Sequence, residues 1–379
     1  MTCIIGIDIG TSSTKVSAFA RDGKLLASAQ RSYPLLQPEP GHAEQDPEVL
    51  LQAVLDCVDA VTRSVQGKAD ISAFCFSAAM HGIMALDQHG TPLTPIITWA
   101  DTRSQAEAIE IRGSAEGKMI YHHTGVPIHP MSPLCKLRWM GRHMPGIMAR
   151  AAMFAGIKEY VLYRLTGEWV MDHSIASATG LFDIRSLDWY APALAWAGIR
   201  RDQLPRAVSS LESLVVSPLS RTLSTGRIVP GTGHARETRR FAALTGHVKL
   251  IVGASDGCLA NLGSGVMEPG LLSLTIGTSG AVRMTVSEPR VDMSGRIFNY
   301  ILWPGTYVTG GPVNNGGIIL KWFSEQVLGR EFKGAEDVDR FLAEAISVPP
   351  GPRGSPACPG SWASVRPYGM PVPRAFFMA

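Results

Sequence analysis

The stretch Ile4-Ile5-Gly6-Ile7-Asp8-Ile9-Gly10-Thr11-Ser12-Ser13-Thr14-Lys15 decides how the first part of this chain folds. An apolar run ends in Asp8, a small polar turn follows, and a second mostly apolar run continues after Lys15. This pattern predicts a strand, a tight turn and a second strand. Gly10 has no side chain, so the backbone of the turn can approach a bulky group closely.

The turn in this stretch is rich in groups that bind anions. Backbone amides and hydroxyl groups supply hydrogen-bond donors at Thr11, Ser12 and Ser13. Asp8, at the end of the strand, is suited to hold a divalent cation by way of water. The same letters return as Ile276-Gly277-Thr278-Ser279-Gly280. Two such turns, one per domain, predict a clamp on a nucleotide triphosphate, and a pair of ordinary hairpins is the alternative.

Length and composition exclude several classes of protein. A chain of 379 residues with 45% hydrophobic residues predicts two domains with buried cores. A net charge of +3, with 18% charged residues, favours neither nucleic acid nor a membrane surface as partner. No apolar run approaches a membrane span, and no signal peptide is predicted. The six cysteines lack metal-ligand spacing, so we expect reduced thiols in a cytoplasmic protein.

Hydrophobic periodicity predicts a layered α/β chain. Residues 3–31 are expected to form an antiparallel meander of three strands. Asp46 is expected to cap a helix that has Pro47 at its first position. An apolar strand at 71–78 then leads into Met80-His81-Gly82.

Asp256 is the candidate general base. A second apolar run, residues 250–255, ends in this acid as the first run ends in Asp8. Phosphoryl transfer to an alcohol needs a carboxylate within reach of the attacking hydroxyl group. The alternative is that Asp256 only caps the following helix.

Other polar and glycine residues are expected beside the same cleft. His81 is suited to bind sugar hydroxyls, with a buried and satisfied histidine as the alternative. Arg103 is suited to pair with a substrate carboxylate, with a surface ion pair as the alternative. The glycine-rich residues 310–317 precede a predicted helix at 318–328, whose start is a neighbour for phosphate or nucleotide.

These residues together resemble the FGGY carbohydrate kinases of the actin-like ATPase superfamily. The resemblance covers about residues 3–345 and depends on five motifs: Gly6-Ile7-Asp8-Ile9-Gly10-Thr11-Ser12, Met80-His81-Gly82, Trp99-Ala100-Asp101-Thr102-Arg103-Ser104, Gly253-Ala254-Ser255-Asp256-Gly257 and Ile276-Gly277-Thr278-Ser279-Gly280. It implies an α/β, actin-like ATPase (ribonuclease H-like) fold with two lobes, the second of them incomplete. The implied division is an N-terminal sugar- and phosphate-binding domain at 1–246, a partial nucleotide-binding domain at 247–348 and an aberrant tail at 349–379.

The resemblance also implies a kinase that uses ATP and Mg²⁺. In it, Asp256 is the catalytic base and Asp8 serves the magnesium ion. The nucleotide side comprises Asp8, Gly10, Thr11, Ser12, Ser13, Lys15, Gly277, Thr278 and Gly317. The substrate side comprises His81, Gly82, Arg103 and Met131. Met131 stands where glycerol kinases carry a substrate-facing tyrosine, which argues against glycerol.

Three further stretches are most similar to family members that phosphorylate gluconate: 124–133, 174–180 and 310–317. The implied reaction transfers the γ-phosphoryl group of ATP to D-gluconate, which gives 6-phosphogluconate. A sister sugar kinase, for instance one that acts on xylulose, is the nearest alternative. An actin-like scaffold is disfavoured because the sugar-side loops are present. The expected partner is a small sugar or sugar acid, and a homodimer is left open.

The end of the chain departs from the family pattern. From about Pro349 the sequence becomes rich in proline and glycine, which is typical of loop or disorder. Codons chosen for Trp362–Arg366 can, when read two bases later, encode the Gly-Glu-Arg-Pro that the family carries, so we expect a frameshift near 349–361. A natural divergent tail is the alternative. On the frameshift hypothesis the polypeptide is a poorly soluble, nearly inactive relic with at most weak sugar binding.

Overall fold

A computed structural model describes residues 1–215, 248–276, 280–292, 294–313, 317–332 and 334–346. Gly277 and Thr278 lie outside the described residues, and so does the tail at 349–379. The expectations for these positions therefore stay predictions.

The described strands and helices alternate along the chain, as the sequence predicts. The strands are β1 (Thr2–Ile9), β2 (Ser13–Ala20), β3 (Leu25–Ser32), β4 (Glu44–Gln45), β5 (Asp70–Ala78), β6 (Met84–Leu86), β7 (Ile96–Ile97), β8 (Met153–Ala155), β9 (Val170–Asp172), β10 (Phe182–Asp183), β11 (Asp188–Trp189), β12 (Arg206–Val208), β13 (Ser213–Val215), β14 (Lys249–Ser255), β15 (Ser273–Ile276), β16 (Gly280–Val286), β17 (Phe298–Trp303) and β18 (Thr306–Val313). The helices are α1 (Pro47–Val65), α2 (Gln105–Arg112), α3 (Ala115–Thr124), α4 (Pro133–His143), α5 (Pro145–Arg150), α6 (Ile157–Thr166), α7 (His173–Ser177), α8 (Ala191–Ala197), α9 (Asp256–Gly263), α10 (Gly317–Trp322) and α11 (Ala335–Ile346). A 3₁₀ turn spans Arg201–Gln203, and a π-helical turn spans Phe323–Val327.

One sheet of six strands organises the first part of the chain, in the order β13-β14-β5-β1-β2-β3. Strands β1, β2 and β3 form the predicted antiparallel meander. Strand β5 runs parallel to β1, whereas we expected antiparallel strands alternating with crossing helices in the N-terminal half. The reason is that α1 carries the chain back across the sheet before β5 begins, and such a crossover connects parallel strands. Strand β14 in turn runs parallel to β5.

The first hydrophobic core lies between this sheet and α1. The helix begins as predicted: the Asp46 side chain accepts a hydrogen bond from the Glu48 amide, and Pro47 occupies the first turn. Its apolar stripe of Leu50, Val54, Val58 and Val61 is almost completely buried. Burial of a side chain of this size contributes about 1.5–3 kcal/mol. The stripe thus fixes which face of the sheet the helix covers.

A second hydrophobic core joins the two parts of the chain. It includes residues from α2, α3, α4, α7 and α8, together with β17. Strand β17 belongs to a second sheet of four strands, in the order β15-β16-β18-β17. Phe298 and Tyr300 of β17 are buried in this core. The same apolar cluster therefore holds the second sheet beside the loops that follow β5.

Strand β14 belongs to the first sheet, although the expected domain boundary at 246/247 precedes it. It pairs with β5 through a bulge between Ile251 and Ala254. Gly253 in the bulge has φ +71°, and a Cβ there would lie 1.7 Å from the Phe76 carbonyl oxygen. Only glycine fits such a close backbone approach. The boundary itself stays a prediction.

None of the described helices is long and apolar enough to cross a bilayer. The five cysteines in the described part of the chain are free, and four of them are buried. These thiols match the expectation of reduced, mostly buried cysteines.

Candidate active site

The carboxyl ends of three parallel strands meet at one edge of the six-stranded sheet. Strand β5 lies between β1 and β14, and all three run in the same direction. In the ladder, Asp8 stands opposite Ser77, and Ser255 stands opposite Ala78. Asp256 follows immediately after Ser255, so the two predicted acids flank the end of β5. Ligands of open α/β sheets bind at this kind of edge.

Asp8 presents its carboxylate to solvent at this edge. The residue is exposed, and Ser77 Oγ donates a hydrogen bond of 2.7 Å to Asp8 Oδ1. The described residues contain no group of three or more acidic, histidine or cysteine side chains that would enclose a metal. A single carboxylate suits Mg²⁺, which usually keeps several waters and takes its other ligands from substrate phosphates.

Three hydrogen bonds fix the turn after β1. The Gly10 amide donates to the Ser13 carbonyl at 3.0 Å. Tyr33 Oη donates to the Gly10 carbonyl at 2.7 Å, and Gln45 Nε2 donates to the Thr11 carbonyl at 2.6 Å. A Cβ on Gly10 would lie 3.1 Å from the Ser13 carbonyl oxygen, which is tighter than ordinary contact. The turn is therefore held in one shape before any ligand arrives.

The side chains of this turn differ in exposure. Thr11 and Ser13 are half-buried, whereas Ser12 and Lys15 are exposed. Gln30 Nε2 donates to Ser13 Oγ at 3.0 Å. Ser12 and Lys15 are thus the members of the predicted phosphate set that are open to solvent.

A small open pocket connects this turn to the loops after β5 and β7. Gly10 and Thr11 line one side, and Met80, Gly82 and Trp99 line the other. Trp99 Nε1 donates a hydrogen bond of 2.8 Å to Thr11 Oγ1 across the pocket. The tertiary structure thus brings together two motifs that are far apart in the sequence.

Asp256 is the first residue of α9, and the alternative that it caps this helix is wrong. The cap is Ser255, whose side chain accepts a hydrogen bond from the Cys258 amide. The Asp256 Oδ1 atom instead accepts from the amide of its neighbour Gly257 at 2.6 Å. Asp256 therefore lies in the first turn of α9 but is not the residue that caps it.

The surroundings of Asp256 favour its protonated form. The residue is open to solvent on one side, yet protein encloses much of its carboxylate. Burial raises its pKa from 3.8 to about 6, and the charge of Asp8 adds to this effect. The Gly257 amide and the positive charges of Arg283 and Lys158 act in the opposite direction. A carboxylate with a pKa close to neutrality is suited to accept and release a proton.

His81 is buried and held in an uncommon backbone conformation. It has φ 68°, and only 3% of its surface is exposed. Its Nε2 atom lies 3.1 Å from Tyr300 Oη of β17. Burial lowers the pKa of His81 to about 3, so the ring is neutral at physiological pH. The structure thus makes His81 a buried, hydrogen-bonded histidine beside the pocket.

Lys136 of α4 forms hydrogen bonds with both loops beside the pocket, the loop after β5 and the loop after β7. Its ammonium group is completely buried and donates to the carbonyl oxygens of His81 and Thr98, each at 2.7 Å. A third bond of 3.3 Å reaches the carbonyl of Ile97. Burial lowers the pKa of Lys136 to about 7. The three carbonyl acceptors match the three donors of the charged ammonium.

Arg103 is engaged by acids of the chain itself. Its Nε and Nη2 atoms bond the Asp101 carboxylate at 2.7–3.0 Å, and Nη2 also bonds Glu44 Oε1 at 2.5 Å. The guanidinium group lies over the Trp139 ring at 5.1 Å. These contacts correspond to a buried ion-pair network more closely than to a surface ion pair.

The remaining predicted site residues occupy different environments. Met131 is buried in the second core, while Gly82 is half-buried and lines the pocket. Gly317 is exposed at the start of α10. Gly277 and Thr278 fall between β15 and β16, outside the described residues, and these two strands pair antiparallel.

Sequence reasoning missed several residues that support this site. They are Tyr33, Gln45, Trp99 as the hydrogen-bond donor to Thr11, Lys136 and Arg283. Each of them contacts the site from an element remote in sequence, so no local motif marks it. A lysine inside the otherwise apolar face of α4 was the only available signal. Lys136 lies on that face between Leu134 and Leu137.

Comparison with known proteins gives the same picture as the geometry. The model of the N-terminal domain of the FGGY family of carbohydrate kinases matches residues 3–229. The gluconokinase of Bacillus subtilis (strain 168) is 39% identical over 356 residues, which cover 93% of this chain and 66% of that protein. The chain thus spans slightly less than two thirds of the length of this curated relative.

Solved structures agree with the sequence comparison. The gluconate kinase from Lactobacillus acidophilus superposes with a TM-score of 0.86 at 31% identity, over 100% of this chain and 72% of that chain. A ligand-bound xylulose kinase from the same organism has a TM-score of 0.87 at 31% identity, with the same coverage. The expected α/β fold of the actin-like ATPase class is thereby confirmed. Because the family model spans more than half of it, the chain belongs to the FGGY family of carbohydrate kinases.

Proposed function

We propose that this protein transfers the γ-phosphoryl group of ATP to D-gluconate, which yields 6-phosphogluconate. The observation that carries the proposal is the meeting of three features at one sheet edge. These are a donor-rich turn at residues 10–13, held by hydrogen bonds, the solvent-facing carboxylate of Asp8 and the carboxylate of Asp256, whose pKa is raised to about 6. A phosphotransferase needs groups that position the phosphates and a residue that activates the nucleophile, and these features can supply both.

Asp256 is the general base in this proposal. Its ionised form accepts the proton of the sugar hydroxyl as that oxygen attacks the γ-phosphorus. The bond between the γ-phosphorus and the bridging oxygen breaks in line with the attack, and ADP leaves. Enclosure by protein, which raises the pKa of Asp256, also makes the carboxylate a stronger base than an ordinary aspartate.

We assign nucleotide binding to the turn after β1 and to the second copy of its motif at 276–280. We assign phosphate contacts to Gly10, Thr11, Ser12, Ser13, Lys15, Gly277 and Thr278, and nucleotide contact to Gly317. Asp8 is the residue that would hold Mg²⁺, with waters and phosphate oxygens as the other ligands. When bound, the ion would neutralise charge on the β- and γ-phosphates.

The sugar side is assigned to the loops that Lys136 joins. His81 and Gly82 follow β5 and lie next to the pocket, and Met131 is buried nearby. Arg103 stays a proposal as a sugar contact, although Asp101 and Glu44 occupy most of its donors. The neutral His81 ring suits hydrogen bonds with hydroxyl groups better than ionic contacts.

The nearest alternative is phosphorylation of xylulose. It has its own support, because the xylulose kinase from Lactobacillus acidophilus is as similar to this chain as the gluconate kinase. The relative with 39% identity is a gluconokinase, and this favours gluconate. We place the reaction in the cytoplasm, where free thiols persist.

A substrate panel separates these proposals. The chain is incubated with ATP and Mg²⁺ and, in turn, with D-gluconate, D-xylulose and glycerol, and ADP formation is measured. We expect turnover with gluconate well above that with the other two. Turnover of xylulose without gluconate would replace the first proposal by the second. No turnover with any sugar would favour the relic hypothesis.

A further inference from the structure

Arg283, a cation of β16, reaches the backbone next to Asp256. A Cβ on Gly257 would lie 3.3 Å from Arg283 Nη2 and 2.8 Å from Met80 Cε. Arg283 and Met80 therefore converge on the bare backbone of Gly257, directly after the candidate base. Met80 also lines the open pocket. The guanidinium group thus lies against the backbone directly after the candidate base.

The charge of Arg283 is not matched by an acid in direct contact. The side chain is half-buried, and the described part of the chain offers its guanidinium no hydrogen bond or ion pair. It lowers the pKa of Asp256 through space, without forming an ion pair with it. A partly buried cation without an ionic partner costs free energy, and a bound anion offsets that cost.

Three other cations near the site already have partners in the described part of the chain. Arg103 is held by Asp101 and Glu44. Lys158 forms a buried ion pair of 2.5 Å with Asp172. The carbonyls around Lys136 occupy its ammonium group. These neighbours are therefore poor ligands for an incoming anion.

Two neutral groups in the region around Arg283, Tyr300 and His81, offer no charge to an anion. They already bond each other, and burial raises the pKa of Tyr300. The carboxylate of a polyol acid would instead satisfy the unpaired guanidinium, because Arg binds carboxylates with two parallel N–H donors.

We propose that Arg283 binds the carboxylate of the sugar acid and thereby selects gluconate over neutral sugars. This inference rests on the proposed function, since it names the group in that substrate which the site recognises. A neutral sugar leaves the guanidinium without an anion. A site that binds a charged or hydrogen-bonding group discriminates strongly against an analogue without that group. An apolar pocket discriminates less between ligands that differ by a methylene group.

The test compares two ligands that differ only at this group. D-Glucitol carries a CH₂OH group where D-gluconate carries its carboxylate. Binding of each to the 379-residue chain is measured by isothermal titration calorimetry, without nucleotide, for the wild type and for Arg283→Met. We expect the Kd of gluconate to rise about 10- to 100-fold and that of glucitol to change less than about 2-fold.

Two further variants control for folding and for charge. Arg283→Lys keeps the charge without the planar pair of donors, so we expect it to recover part of the gluconate affinity. Arg150→Met removes an exposed arginine from the end of α5, and we expect it to change the Kd of neither ligand. Thermal unfolding of all variants shows whether a loss of binding follows from a loss of structure.

The outcomes separate this inference from the proposed function. Equal losses for both ligands, or wild-type binding with no preference for gluconate, would overturn the inference. An unchanged gluconate Kd in folded Arg283→Met, with slower ADP formation, would instead assign Arg283 to the transferred phosphoryl group. If gluconate binds through Arg283 but is never phosphorylated, the proposed function fails and the inference stands.

Discussion

Asp8 and Asp256 occupy equivalent places in the sheet but differ in their surroundings. Each lies at the carboxyl end of a strand beside β5, Asp8 one residue before the end of β1 and Asp256 one residue after the end of β14. Asp8 faces solvent and shares one hydrogen bond with Ser77. Asp256 begins a helix, and burial there raises its pKa to about 6. Two acids that follow similar apolar runs in the sequence therefore differ in the element after the strand, a hairpin turn for Asp8 and a helix for Asp256.

The comparison predicts that the two acids are not interchangeable, and the largest effect is expected at Asp256. Asp256→Asn should lower the rate of phosphoryl transfer about 10²- to 10⁴-fold, since the amide accepts no proton. Sugar affinity should stay within about 3-fold of the wild type, because the amide keeps the shape of the carboxylate. Single-turnover kinetics and calorimetry measure the two quantities. A variant that keeps its rate would remove Asp256 from the role of base.

Stability gives a control for this variant. A raised pKa means that protonation favours the folded state. The contribution of Asp256 to stability is therefore complete below its ordinary pKa of about 3.9 and is lost as the pH rises through about 6. Removing the charge should leave the midpoint of thermal unfolding at pH 7 unchanged or higher. A lower midpoint would mean that the loss of activity reports misfolding.

The next effect is expected at the lysine that positions the loop after β5, between the two acids. Lys136→Met removes donors from three buried carbonyls and should lower the free energy of unfolding by about 2–3 kcal/mol. Urea denaturation followed by tryptophan fluorescence measures it. Lys118→Met, at an exposed position of α3, is the matched control and should change it by less than about 0.5 kcal/mol.

Asp8 should show a metal effect that Asp256 does not share. Asp8→Asn should raise the Mg²⁺ concentration that gives half-maximal rate about 10- to 100-fold, as expected for a group that acts on the ion through water. The affinity for the sugar alone should not change. Titration of Mg²⁺ at saturating ATP measures the first quantity. An unaltered Mg²⁺ requirement would contradict the assignment of Asp8.

The pH dependence of the rate should follow Asp256. Between pH 7 and pH 5 the ionised fraction of a group with a pKa of about 6 falls about tenfold, and the rate should fall with it. The residual rate of Asp256→Asn should be flat over this range. A wild-type profile without a transition between pH 5 and pH 7 would show that another group supplies the base.

The smallest effect is expected across the pocket from the acids. Trp99→Phe removes the hydrogen bond to Thr11 Oγ1 but keeps an aromatic ring, so the KM for ATP should rise about 2- to 5-fold. The affinity for gluconate should change less than the affinity for ATP. A larger effect on gluconate would assign Trp99 to the sugar side of the pocket.

Local patterns predicted the parts of the fold that depend on neighbouring residues. The meander at β1–β3, the cap at Asp46 and the buried stripe of α1 followed from periodicity and turn chemistry alone. The parallel direction of β5 was predicted wrongly, because strand direction depends on the crossover and not on the strand. Arg103 had a competing interpretation that sequence could not decide. Its ion pairs with Asp101 and Glu44 appear only when the loops meet.

The sequence by itself determined the α/β class, the donor-rich turn and the position of Asp256 after an apolar strand, since each is written in consecutive residues. Only the tertiary structure decided that the protein around Asp256 raises its pKa. It also decided which cation is left unpaired, since Arg283 reaches Gly257 from the second sheet. Burial and charge pairing depend on contacts between distant segments, and no local pattern carries that information.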